Sequence, residues 1–88
     1  MSTSSDVIKS LDQALTAART AVQQTDDLIV AHDYQDVASL VANAAAALLQ
    51  SASYLMQSKD EDAFSALEQA DDYLDAVYDI IDSEIEEE

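Results

Sequence analysis

The sequence predicts an all-α fold, an antiparallel up-down-up bundle of three helices over about 5–31, 34–57 and 59–84. Three observations carry this reading. The 88 residues contain no Gly and no Pro, so β-hairpins, Gly-rich phosphate loops and dinucleotide folds lose the residue whose backbone freedom they use. Apolar residues recur at helical spacing in three stretches. Short polar breaks separate the stretches. The length suits one domain covering 1–88, with 1–4 and 85–88 as frayed ends.

The first helix is expected to be capped by Ser4 or Ser5, with Asp6 in the first turn where the macrodipole favours an anion. Ile8, Leu15, Val22 and Ile29 repeat as a heptad, with Leu11, Ala18 and Thr25 between them. Val7, Ala14, Ala21 and Leu28 widen the stripe, which predicts a helix to about Ala31. His32 then falls where an imidazole can cover the last carbonyls.

Asp33 with Asp36 resembles an N-cap pair, so the second helix is expected to start near Tyr34. It is apolar on almost every side. Val37, Leu40, Val41, Leu48, Leu49, Leu55 and Met56 do not share one stripe, and Ala42 and Ala44–Ala47 fill the gaps. Two flanking helices cover only part of such a circumference. Either the remainder is mostly Ala, which costs little in water, or it packs against a second copy or a partner. The possibility of a dimer through this helix therefore stays open.

Ser58 and Glu61 match the S-x-x-E capping box, followed by a first turn holding Asp60, Glu61 and Asp62. In the third helix Leu67, Leu74 and Ile81 repeat every seven residues beside Ala63, Ala70 and Val77. Helices of about 25 residues span about 38 Å each. Short connections between equal lengths give antiparallel neighbours, although one long helical hairpin pairing into a dimer leaves a similar pattern.

Composition narrows the class further. Hydrophobic residues make up 49% of the chain, enough for a core. Phe64, Tyr34, Tyr54, Tyr73 and Tyr78 are the aromatic supply, so that core rests on Leu, Ile, Val and Ala. The tyrosines are read as core or boundary residues whose hydroxyls reach water. Without Cys there are no disulfides and no thiolate chemistry. The longest apolar run, Ala44–Leu49, falls far short of the roughly 20 residues of a membrane span, and no signal-peptide pattern opens the chain. The expectation is a cytoplasmic protein with no membrane partner.

The net charge is −16, and it is unevenly placed. Asp6, Asp12, Asp26 and Asp27 face Lys9 and Arg19, while Asp33 and Asp36 face Lys59. The other thirteen acids all follow Lys59, with no base among them. Glu68, Asp72, Asp75, Asp79, Asp82 and Glu86 are spaced four, three, four, three and four apart, one row along a helix, with Asp71 at its flank. Carboxylates about 5–6 Å apart approach the phosphate spacing of a nucleic-acid strand. Like charges at i,i+4 destabilise a helix by about 0.2–0.5 kcal/mol per pair, so a helix selected for stability alone would interleave Lys or Arg.

Three explanations compete for the row: a solvated face, an anionic surface for a basic partner, and adaptation to high salt. Asp outnumbers Glu thirteen to six, which suits the last. The near-neutral exteriors of the first two helices oppose it.

Catalysis and cofactors find little footing. Asp71-Asp72-Tyr73-Leu74-Asp75 resembles the D-D-x-x-D string with which helical prenyl-transferring enzymes hold diphosphate through magnesium. Such enzymes add a large helical barrel and basic residues; this chain has three bases in all. One His and no E-x-x-H speak against a dedicated metal site. The serines are assigned to caps and helix surfaces without a matched base. Direct nucleic-acid binding is opposed by the charge. Residues 52–70 resemble helical hairpins, tetratricopeptide-like ones included, but lack the Gly and Pro positions of those repeats.

The reading is therefore a non-enzymatic interaction protein without a cofactor. Its third helix is expected to present Glu68, Asp71, Asp72, Asp75, Asp79, Asp82 and Glu86, with Tyr78 as aromatic anchor, to a basic protein, a nucleic-acid-binding enzyme in the concrete case. Phage anti-restriction proteins are similar in size and charge. The alternative is a structural or scaffolding domain, dimeric, whose acidity serves solubility or a salty cytoplasm.

Overall fold

The computed structural model describes the backbone of residues 2–86 and the side chains of residues 2–83. It is all-α: α1 spans Ser4–Asp26, α2 spans Gln35–Met56 and α3 spans Asp60–Glu86. The helices pack in sequence, α1 on α2 and α2 on α3, as an up-down three-helix bundle. The bundle is open. Among the described residues no Cα of α1 comes within 8 Å of one in α3, so α2 is the middle of a single layer. The extents of 50 × 28 × 20 Å and the radius of gyration of 15.3 Å fit a slab; a compact domain of this length would have about 12 Å.

α1 starts one residue before the expected caps. Thr3 is the N-cap, its hydroxyl accepting from the Asp6 amide (3.2 Å) while its own amide donates to the Asp6 carboxylate (3.1 Å). The carboxylate thus closes the box and meets the positive end of the helix.

α1 ends at Asp26, not near Ala31. Asp26 and Asp27 stand at the negative end of its macrodipole with no base to offset them. Leu28, Ile29 and Val30, expected on the helix, lie in the connecting loop, where Ile29 is 102% exposed. The heptad read through Ile29 is cut short because the chain has to turn back to Gln35 with the residues that follow Asp26. Asp26 is already bonded to Ser39, one turn into α2. Ala14 and Ala21 are also exposed, so the core face of α1 is the narrower set Ile8, Leu11, Leu15, Ala18, Val22 and Thr25.

His32 therefore does not cap α1; it organises the start of α2. Its Nδ1 accepts from the Tyr34 amide (3.1 Å), its carbonyl accepts from the Gln35 amide (3.0 Å), and its ring tilts against Tyr34 at 6.0 Å. The Gln35 side chain ties this turn back to α1 by donating to the Asp26 carbonyl (3.2 Å). Tyr34 is the N-cap of α2 and makes no side-chain cap, so the expected Asp33–Asp36 pair does not form. The turn closed between His32 and Gln35 leaves Asp33 outside the N-cap position.

The second connection also differs from expectation. Ser58 has φ 59°, the left-handed conformation that ends a helix. Its amide donates to the Leu55 carbonyl (3.1 Å) and the Lys59 amide to that of Tyr54 (2.9 Å), which together make a Schellman motif. The Lys59 ammonium lies 6.0 Å from the Tyr54 ring centre and covers the turn. An N-cap needs extended backbone, so Ser58 closes α2 and does not build a capping box with Glu61; α3 begins at Asp60.

α2 has two buried stripes. Ser39, Ala46 and Ser53 face α1, where Leu15 is the buried apolar residue; Ala44, Ala47 and Ser51 face α3 and its Ala63, Ala66, Ala70 and Val77. The α1–α2 seam carries two charge-assisted bonds, Ser39 Oγ to Asp26 Oδ1 (2.7 Å) and Ser53 Oγ to Asp12 Oδ1 (3.3 Å). Each pair lies two heptads from the other, which fixes antiparallel register at both ends. These serines are thus buried and partnered, contrary to their expected place in caps and on surfaces.

By length and composition α2 also passes as a bilayer-spanning helix, at mean hydropathy 1.2. Its buried serines are all bonded, Ser39 and Ser53 to α1 and Ser51 within α2, where its Oγ donates to the Leu48 carbonyl at 2.6 Å.

Candidate acidic interface on the third helix

α3 holds its acids in place through what it buries. Ala63 and Ala70 are 1% exposed and form, with Ala66 and Val77, the face set on α2. At 100° per residue, the positions two beyond Ala70 and Val77 turn half-way round the helix. Asp72 and Asp79 occupy them, and Glu68, Asp75 and Asp82 fall beside them. All five are exposed, as is Asp71 at the flank. Glu86 closes the row by register as the last residue of α3, its side chain outside the described residues. The six described carboxylates are thus brought to one outward face, and no base follows Lys59 to neutralise them.

Tyr78 stands at the edge of this row, 60% exposed. Phe64 was absent from the expected site and is the more exposed aromatic, at 64%. Its spacing could have found it: Phe64, Asp71 and Tyr78 are one heptad apart, so the ring lies on the acidic side of α3. The other tyrosines divide, with Tyr34 exposed and Tyr54 and Tyr73 half-buried, the Tyr54 hydroxyl accepting from Gln50 Nε2 (3.2 Å).

Several larger apolar residues of α2 and α3 lie outside the seams. Leu67 and Ile81, expected in the core, are exposed. On α2 the uncovered surface is not mostly Ala. Val41, Leu48 and Leu55 form a third heptad stripe that is open to solvent, with Leu55 54% exposed and Met56 beside it. On α2 small residues line both seams, which lets the neighbouring backbones approach closely, and its bulkier residues are left at the rim. α1 docks on the far side of α2, so nothing covers that rim.

The slab therefore has two unlike broad faces. One carries a polar cleft of about 130 Å³ lined by Arg19 of α1, Asn43 and Gln50 of α2, and Gln69 and Tyr73 of α3. The opposite one, by helical register, carries Val41, Leu48 and Leu55 beside Leu67, Leu74 and Ile81, and runs into Tyr78 and the acidic row. Among the described residues no group of three or more His, Asp or Glu side chains is arranged to hold a metal ion.

No protein-family model matches the chain, and neither a curated protein nor a solved structure matches it significantly.

Proposed function

We propose that this is a small acidic interaction protein, not an enzyme, whose α3 presents Glu68, Asp71, Asp72, Asp75, Asp79, Asp82 and Glu86 to a basic protein. The observation that carries the reading is the exposed carboxylate row on the face of α3 opposite its alanine seam, with no Lys or Arg on that helix. Such a row gathers like charge at a cost to helix stability, which a binding role explains and a purely structural role does not. Its spacing and sign suit a surface that otherwise receives nucleic acid, so the favoured partner is a DNA- or RNA-binding protein held through its cationic site.

Charge reversal tests this. Asp75→Lys with Asp79→Lys is expected to abolish low-salt capture of basic nucleic-acid-binding proteins from a cell extract while helical circular dichroism stays unchanged. Undiminished capture by the reversed variant removes the proposal.

A second reading is favoured by the solvent-open stripe Val41, Leu48 and Leu55. In it the protein is a structural domain that pairs through α2, and the acidity serves solubility. Sedimentation distinguishes the two by the mass of the particle.

A further inference from the structure

The acidic row and the uncovered apolar strip are adjacent on α3. Going round that helix from the buried Ala70, Leu74 and Leu67 come first, then Tyr78, then Asp71, Phe64 and Asp82, then Asp75. Leu67, Phe64, Tyr78 and Ile81 are exposed, as are Val41, Leu48 and Leu55 on the neighbouring α2. The result is a shallow apolar floor with a carboxylate bank on the α3 side alone, since residues 37–58 of the α2 side contain no charged residue.

We propose that this floor and bank form one docking groove for a cationic amphipathic helix of the partner, a deepening that rests on the reading of the row as a site for a basic protein. Apolar residues of that helix, at i, i+3, i+4 and i+7, sit on Val41, Leu48, Leu55 and Leu67. Its Lys and Arg residues border one side of the apolar stripe and face Asp71, Asp75 and Asp82. Val41 to Leu55 is about 21 Å of helix, so a segment of about four turns fills the groove. Tyr78 and Phe64, each more than half exposed, supply rigid aromatic contact where floor meets bank.

Charge decides against a second copy as occupant. It would bring a second chain of net charge −16 against the first, whereas a cationic helix removes the repulsion within the row.

The probe is a labelled peptide of about 18 residues made of Lys and Leu with the leucines on one helical face, followed by fluorescence anisotropy. The control has the same composition with leucines dispersed. The facial peptide is expected to bind at least tenfold more tightly than the dispersed one. Leu48→Gln with Leu55→Gln should erase that difference and leave the dispersed peptide unaffected; both residues are about half exposed, so the fold tolerates the change. Asp71→Asn with Asp75→Asn should weaken both peptides.

Equal binding of the two peptides, untouched by the leucine variant but lost in the aspartate variant, overturns the groove and leaves the row as a site for basic proteins. Absence of binding by either peptide at low salt overturns both readings. A wild-type dimer that becomes monomeric in the leucine variant also overturns the groove, because a second copy then fills it.

Discussion

Ser58 takes a backbone conformation that Gly adopts without penalty and other residues adopt at a cost of about 1 kcal/mol. Ser58→Gly is therefore expected to raise the stability by about 1 kcal/mol, read as a higher urea midpoint with an unchanged slope. A midpoint that stays put or falls would remove the strain argument. The same serine misled the sequence reading. Its S-x-x-E pattern with Glu61 fits the start of a helix, but between two helices the residue has one set of dihedrals, and here they close α2. At the other seam, Ser39 and Ser53 anchor to Asp26 and Asp12. Bonds to charged acceptors contribute about 1.5–3 kcal/mol when protected from water, less where the carboxylate is exposed, as Asp26 is. A double-mutant cycle on Ser39→Ala and Asp26→Ala should give a coupling of about 1 kcal/mol in thermal melts. Zero coupling would demote the pair to a surface contact.

The helices differ in what holds them. α3 is attached through alanines, so Ala70→Leu forces bulk into a seam with no space; a loss of about 1–3 kcal/mol is expected in chemical denaturation. Unchanged stability would mean that α2 and α3 are not closely apposed. The row strains the same helix along its outer face. Glu68/Asp72, Asp71/Asp75, Asp75/Asp79 and Asp82/Glu86 are like-charged i,i+4 pairs whose sum is about 1–2 kcal/mol. Screening them between about 0.05 M and about 0.5 M NaCl should raise the melting temperature by about 4 °C or more. A flat response would mean the carboxylates do not feel one another. The row was legible in the sequence because a 3.6-residue period alone sets it, whereas the inward face was only half legible. Ala63, Ala70 and Val77 repeat beside Leu67, Leu74 and Ile81 in the sequence, and periodicity cannot say which of them a neighbour will cover.

The protein is a layer in which α1 has one neighbour and one buried apolar residue, Leu15. α2 and α3 share a longer seam of buried small residues. Hydrogen exchange should accordingly find α1 amides opening with lower protection than those of α2 and α3. Equal protection across all three helices would indicate closure between α1 and α3 in solution.

The residues alone settled that the chain is helical, that its charge belongs to the last third, and that those carboxylates line one face. These properties follow from local rules: the absence of Gly and Pro, helical period, and spacing along one segment. How the helices assemble was not accessible in the same way. The early stop of α1 at Asp26, the left-handed Ser58, the aspartate–serine bonds and the leucines left outside an alanine seam depend on where one helix meets another. That meeting is governed by how closely two backbones can approach, a quantity defined between segments distant in the chain and absent from either segment's own pattern.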